Sequence, residues 1–437
     1  MLFQERVVRA MARARRADAV VGVLFIDLDD FKVINDTMGH RVGDELLVAA
    51  GMRLSALTTG CGTAARLGGD EFGLLIEDAL DSAAVETLAD AIVRAFQEPF
   101  TLAIGSAIAN ATVGVATSDD ATSTSDLVRH ADLALYAAKA AGKRQWRRYQ
   151  PVLSTGMMRR RDLQAALDSA VAESAFTLVY QPIVELSSGT VAGFEALLRW
   201  PHAEWGMVQP DQFIALAEET GHIVPLGSWA LQQAMVDVAR WQQLAPGHPP
   251  VYVSVNVSAR QLRDSGFVGE VRRRLAGSGL SPSSLVLELT ESGLLRPDQR
   301  LRADLNELKV MGVRLAIDDF GTGYSSLSYL RELPIDVLKI DKSFVDGITV
   351  STQRLALAEV IVRIAKTLGL TVIAEGIESE VQRDMLVSMG CRYGQGYLLA
   401  TPMPAAEGRG AAPGRPWPGA AAARLPPVNA AHLAPAC

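Results

Sequence analysis

The chain has 437 residues, 49% of them hydrophobic and 21% charged, which suffices for two or three domains, each with a full core. A formal charge of −7 argues against nucleic-acid binding as the main task, and no run of 18 apolar residues marks a membrane-spanning helix. Cys61, Cys391 and Cys437 are too isolated for a disulfide framework or a metal knuckle, and the basic start (Arg6, Arg9, Arg13) lacks a signal peptide's apolar core, so a soluble, cytoplasmic protein is expected.

In chain order, residues 1–150 mix helical stretches with short apolar strands. The run from Val20 to Ile26 is a buried strand ending at Asp27-Leu28-Asp29-Asp30. Ala64–Leu67 and Phe72–Ile76 flank Gly68-Gly69-Asp70-Glu71, a hairpin with glycine at its tight turn. Two strand-borne acidic clusters brought together would bind Mg²⁺ with a nucleoside triphosphate. Two ordinary acidic turns explain those features equally well. Residues 151–174 predict a helical connector, with Leu163, Ala166, Leu167, Ala170 and Val171 at helical spacing. Residues 405–437, rich in Ala, Pro, Gly and Arg without periodicity, predict a disordered tail.

Between 175 and 404, short apolar runs end on polar groups: Val191–Phe194 on Glu195, Val251–Val255 on Asn256, Leu285–Leu287 on Glu288. The pattern repeats with Arg314–Ile317 before Asp318 and Asp319, Asp336–Leu338 before Lys339, and Thr371–Ala374 before Glu375. A last short run contains Gln395. Helical stretches such as Pro210–Thr220, Leu226–Leu244 and Gln353–Leu368 separate them. This alternation predicts a parallel sheet closed as a TIM-like (β/α)₈ barrel, which gathers strand ends at one mouth. A doubly wound open sheet is the competing architecture, but it would focus only the residues at its switch point.

Singly, an acid at a strand end is more often a turn or helix cap than a ligand. Repetition at successive ends favours a shared site. Carboxylates with an Asn and a Lys, and no His or Cys, select hard cations, Mg²⁺ or Mn²⁺. Like charges crowded at one mouth need cations to neutralise them, and two metals suit an in-line phosphoryl displacement. Arg199 offers a planar fork for phosphate, and Lys339 could orient or deprotonate the attacking water.

Phe194-Glu195-Ala196-Leu197-Leu198-Arg199-Trp200 resembles the signature of EAL-type cyclic di-GMP phosphodiesterases. The resemblance runs from Tyr180-Gln181-Pro182 to Thr401-Pro402-Met403-Pro404, through Val255-Asn256-Val257-Ser258, Glu288-Leu289-Thr290-Glu291, Asp318-Asp319-Phe320-Gly321, Leu338-Lys339-Ile340-Asp341 and Ala374-Glu375-Gly376. It implies metal ligation by Glu195, Asn256, Glu288, Asp318, Asp319 and Glu375, with Glu195 and Lys339 catalytic and Lys339 activating the water. It implies substrate contacts from Gln181, Leu197 and Arg199, with Gln395 helping to hold the site. Glu291 would anchor the loop after Asp319 and couple metal binding to a homodimer formed through this domain.

The segment from Asp27 to Asp44, then Gly68-Gly69-Asp70-Glu71-Phe72 and Ala131–Lys139, resembles GGDEF diguanylate cyclases, whose domain is a nucleotide-cyclase-like α/β fold. The resemblance implies that Asp27, Asp70 and Glu71 hold Mg²⁺ with GTP, Asp70 lying near the attacking hydroxyl. Asn35, His40 and Asp44 would read the guanine; Lys139 and Lys143 would hold phosphates. The family's opening Asp-x-Leu-Thr-x-Leu-x-Asn-Arg turn would fall before residue 1, so weak or no cyclase activity is expected, with GTP still bound. The inhibitory Arg-x-x-Asp motif falls at Thr59-Gly60-Cys61-Gly62, so product inhibition there should be absent. The Gly142-Lys143-Arg144 stretch departs from the usual Gly-Arg-Asn.

The leading expectation is therefore a phosphodiesterase yielding linear pGpG, with a GTP-binding regulatory half. A bifunctional cyclase/phosphodiesterase, a non-catalytic cyclic di-GMP receptor and an unrelated two-metal phosphoesterase barrel are the alternatives.

Overall fold

The structure, a computed structural model, describes residues 2–17, 19–103, 105–246, 249–294, 298–321 and 331–408. They fall in two compact units, Met1–Leu163 and Gln164–Cys437.

The first unit runs α1 (Leu2–Ala17), β1 (Val20–Leu28), α2 (Phe31–Met38), α3 (His40–Leu57), β2 (Gly62–Gly68), β3 (Glu71–Ala79) and α4 (Ser82–Ala95). After a small hairpin, β4 (Phe100–Leu102) with β5 (Gly105–Ala107), come β6 (Ala111–Thr117), α5 (Thr124–Ala140) and β7 (Trp146–Arg148). The sheet order is β2-β3-β1-β6-β7, antiparallel except for the β6–β7 pair. Central β1 is covered on both faces, which is why its sequence is continuously apolar rather than alternating. Leu24, Ile26 and Leu28 join a core with Leu46, Leu54, Val85 and Ile92 of α3 and α4. Val21 and Val23 join a second core with Val7 and Met11 of α1 and Leu127 and Ala131 of α5. Gly69 (φ 54°) makes the left-handed turn between β2 and β3.

Helix α6 (Pro151–Glu173) buries Leu163, Leu167 and Ala170 from the periodic stripe.

In the second unit come β8 (Thr177–Glu185), β9 (Thr190–His202), β10 (Gly206–Val208), α7 (Pro210–Thr220), α8 (Ile223–Leu244), β11 (Tyr252–Val257), β12 (Leu285–Thr290) and β13 (Arg314–Phe320). They are followed by β14 (Val337–Ile340), β15 (Thr371–Ala374), β16 (Tyr393–Gly394) and β17 (Met403–Pro404). Strands β9, β11, β12, β13, β14, β15, β16 and β8 pair in a closed ring, with β8 returning to β9. The expected barrel is present with one departure: β8 is antiparallel to both neighbours, β9 and β16. The connection between β8 and β9 spans only 186–189, a hairpin too short for the crossover that a parallel pair needs.

Alternation fills the barrel in layers. Ile183, Val286, Ala316, Val337 and Ile373, with Tyr252 and Tyr393 against them, form an apolar plug. Gly193 gives the Tyr252 ring its space, since a Cβ there would lie 2.7 Å from it. Two residues further along the parallel strands stand Ser254, Glu288, Asp318, Lys339, Glu375 and Gln395, a polar layer on the plug. Residues 405–408 form a short helix; the rest of the expected tail lies outside the described residues.

Candidate metal and catalytic centre

Lys339 is the hub of the polar layer. Its ammonium, 1% exposed, lies 2.6 Å from Glu375, 2.8 Å from Glu288, 3.2 Å from Asp318 and 3.4 Å from Glu195. The Asn256 amide donates to Glu195 at 2.9 Å, and the Gln395 amide donates to Glu195 at 2.5 Å and to Glu375 at 3.2 Å. Glu195 does not end its strand as expected. It lies inside β9, which continues to His202 because it pairs along its length with β8, where Gln181 stands opposite Glu195. Leu197 and Arg199 follow at alternate positions on the same face. Arg199 is half-buried and donates to the Leu198 carbonyl at 2.8 Å; the buried Gln181 donates to the Ala400 carbonyl at 3.2 Å.

Consecutive strand residues normally point to opposite faces, so Asp318 and Asp319 should diverge. The ladder shifts register between Ile317 and Phe320, and Asp319 takes a left-handed φ of 54°. Oxygens of Asp318, Asp319 and Glu375 thereby lie within 4.8 Å of one another. Such a conformation is costly for a non-glycine residue and is found where a site needs it. Glu291 accepts from the Gly321 amide at 3.2 Å, while its other oxygen is buried without a hydrogen-bond partner among the described residues. The remainder of that loop, 322–330, lies outside the described residues.

The electrostatics are those of excess negative charge. Burial works against the charge on Lys339, yet Asp318, Glu195, Glu288 and Glu375 outweigh it and hold the ammonium well above its ordinary value. Burial, then repulsion from Glu195, drives the Glu288 carboxyl well up. Burial raises Glu375 to about 8 despite Lys339, while Lys339, Gln395 and Asn256 overcome burial and hold Glu195 down. One ammonium does not balance these acids, so the residues present fit divalent cations: their donors are oxygens, their charge is uncompensated, and the Gln395 carbonyl oxygen is buried without a partner among the described residues.

Ser254 belongs to the same layer, although no motif marks it. Buried at 1% exposure, it hydrogen-bonds to Glu288. The signal was its position two residues before Asn256 on an alternating strand.

In the first unit, Asp27 stands opposite Glu71 in the β1–β3 ladder, and the Leu28 amide donates to the Asp70 carbonyl at 3.3 Å. The two lysines expected on phosphates meet acids here: Lys139 lies 2.6 Å from Asp27 and Lys143 2.8 Å from Asp30. Burial raises the Asp27 carboxyl, and Asp70 and Asp29 add to that against Lys139. Asn35 lies on α2 beside Gly43; His40 and Asp44 are exposed on the first turn and a half of α3. Asp29, unassigned from sequence, is buried and accepts from Thr112 at 2.7 Å and from the Arg144 amide at 3.1 Å. It ties β1 to β6 and to the segment after α5.

Fold and site together define a carboxylate-mouthed α/β barrel preceded by a five-stranded α/β domain. The EAL domain family matches residues 161–402, and the diguanylate cyclase, GGDEF domain, matches residues 1–145. The chain belongs to the EAL domain family, in a GGDEF–EAL tandem. It is 40% identical over 408 residues, 93% of its length, to the bifunctional diguanylate cyclase/cyclic di-GMP phosphodiesterase MucR of Pseudomonas aeruginosa, covering 59% of that protein. It is 37% identical over 405 residues, 92% of its length, to the cyclic di-GMP phosphodiesterase NbdA of the same organism, covering 51% of it. A solved structure of the PaMucR phosphodiesterase in a c-di-GMP complex matches 56% of this chain and 99% of its own, at 42% identity and a TM-score of 0.54. The chain thus spans between half and three-fifths of the length of these two curated relatives. No helix among the described residues is long and apolar enough to cross a membrane.

Proposed function

We propose that the chain hydrolyses cyclic di-GMP to linear pGpG at the mouth of the barrel, in the cytoplasm. The observation that carries this reading is the convergence of Glu195, Glu288, Asp318 and Glu375 on Lys339, beside the oxygen cluster of Asp318, Asp319 and Glu375. The c-di-GMP complex of the 42%-identical MucR phosphodiesterase supports the substrate. Glu195, Asn256, Glu288, Asp318, Asp319 and Glu375 would hold two Mg²⁺ or Mn²⁺ ions, which supply Lewis acidity at the phosphoryl oxygens and acidify a water.

Hydrolysis adds water across one P–O bond: the hydroxyl goes to phosphorus and a proton to the departing sugar oxygen. Of the two roles open to Lys339, orienting the water fits better, since the surrounding carboxylates hold it as an ammonium. Arg199 would present its fork to the non-bridging phosphoryl oxygens, with Gln181 and Leu197 along the substrate. Gln395, bonded to both Glu195 and Glu375, fixes two carboxylates at one spacing. Glu291 would couple this site to a homodimer through the loop it meets at Gly321. The GGDEF half would bind Mg²⁺ and GTP as a regulator. A bifunctional enzyme is the second reading, favoured by the name of the 40%-identical MucR.

The deciding experiment incubates the purified chain with cyclic di-GMP and Mg²⁺ or Mn²⁺, and separately with GTP, and chromatographs the products. Formation of pGpG is expected. Tight binding without cleavage under either metal would leave the receptor reading in its place.

A further inference from the structure

At the end of the barrel away from the carboxylate layer, where the parallel strands begin, the structure has an open pocket of about 650 Å³. That volume falls in the range of about 300–1,000 Å³ usual for small-molecule sites. Tyr252 and Tyr393 line it with Leu370, together with three cationic side chains, Arg314, Lys366 and Arg392, and no acidic residue. This is a local concentration of positive charge in a chain whose formal charge is −7.

Two of the three cations are held in ways that leave charge available. The Arg314 guanidinium stands 4.4 Å from the Tyr252 ring centroid and uses Nε to donate to the Ser283 carbonyl at 3.1 Å. Its two Nη groups keep their donors. Lys366 donates to the Met389 carbonyl at 3.1 Å, and neither Arg314 nor Lys366 meets a carboxylate among the described residues. Arg392 lies 5.0 Å from the Tyr393 ring centroid and is neutralised by Glu185 at 2.9 Å. A solvated surface lysine or arginine is ordinary. Two cations without acidic partners, converging on a cavity with two tyrosine rings in its wall, make a recognisable combination.

We propose that this pocket binds a phosphate monoester carrying a planar ring, the chemistry of a nucleoside monophosphate. Arg314 and Lys366 take the phosphate, the arginine through its paired Nη donors, and the ring lies against Leu370 and the tyrosine edges, since Arg314 and Arg392 already cover tyrosine faces. Tyr252 and Tyr393 lie two positions before Ser254 and Gln395, and Tyr252 packs over Gly193, two positions before Glu195. The occupant thus rests on the floor beneath the carboxylate layer. This site is separate from the proposed substrate mouth and does not depend on the phosphodiesterase reading.

The test is calorimetric titration of the full chain with AMP, chosen because it lacks the guanine that the other sites would read, and with inorganic phosphate in a parallel arm. One AMP per chain is expected, with phosphate at least tenfold weaker. The Arg314→Ala, Lys366→Ala double variant should weaken AMP at least tenfold, whereas Arg199→Ala at the opposite mouth should leave it unchanged. Ser283→Glu, an acid placed on the exposed rim, should weaken it as well and stands in if the double variant does not fold. Absence of AMP binding by the wild-type chain, or binding that survives these changes, overturns the site. Phosphate binding as tight as AMP overturns the ring-bearing ligand.

Discussion

Lys339 donates to Glu288 at 2.8 Å with both side chains closed off from solvent, at 1% and 0% exposure. Removing one partner of a buried ion pair costs about 3–5 kcal/mol, because the other charge stays buried and unpaired. Lys339→Met should therefore unfold at markedly lower urea without divalent metal, and Mg²⁺ should restore part of the loss by taking over the counter-charge. Its turnover should fall by about 10²-fold or more, the scale for a group that manages a proton or a water. Binding of cyclic di-GMP, measured with Ca²⁺ present to prevent turnover, should stay within about tenfold, or 1.4 kcal/mol, of wild type. If binding and rate fall together, Lys339 is a substrate contact instead.

Turnover should require Mg²⁺ or Mn²⁺ and be blocked by Ca²⁺, whose larger and looser coordination spoils a paired site. Glu195→Ala and Asp318→Ala should each abolish pGpG formation, since each removes a carboxylate that sits against Lys339. Undiminished activity in excess chelator, or a near-native rate in either variant, would sink the two-metal reading.

The Glu195→Ala chain also isolates the first unit. Lys139 is engaged with Asp27, one of the acids around which Mg²⁺ and GTP would gather, and Lys143 with the nearby Asp30. With the barrel silenced, GTP should bind but yield little or no cyclic di-GMP. Robust synthesis by this variant would make the protein bifunctional and displace the regulatory role.

His130 provides a pH dependence away from both sites. It stacks on Tyr149 at 3.6 Å, and its buried Nδ1 has no hydrogen-bond partner among the described residues. Burial, then the Arg129 charge, lowers its pKa below the ordinary 6.5. The unfolded chain therefore takes up this proton more readily, so the stabilisation is complete above about pH 6.5 and is lost as pH falls through the lower folded value. Amide exchange in Thr124–Ala140 should accelerate between pH 7 and 5, after correction for intrinsic rates, and His130→Phe should flatten that trend. An unchanged trend in the variant would assign the effect to other groups.

Much of this protein could be read in the chain order. The recurrence of apolar runs with polar ends predicted the barrel, because a parallel barrel must bury its strands on both faces and expose chemistry at one mouth. Asn256, Glu288, Asp318, Lys339 and Glu375 were legible for that reason. The family motifs supplied Gln181 and Glu291, which no periodicity marked.

What the sequence determined by itself was which residues are available: apolar alternation sets which side chains share a face. Which groups meet was decided only by closure. The antiparallel entry of β8 set Gln181 opposite Glu195, and the register shift at Asp319 turned two adjacent carboxylates to one side. Ring closure brought Gln395 onto Glu195 across 200 residues of chain, and set Ser254 on Glu288. Those contacts depend on strand direction, register and curvature. These are properties of pairing between distant segments, and no local stretch of sequence encodes them alone.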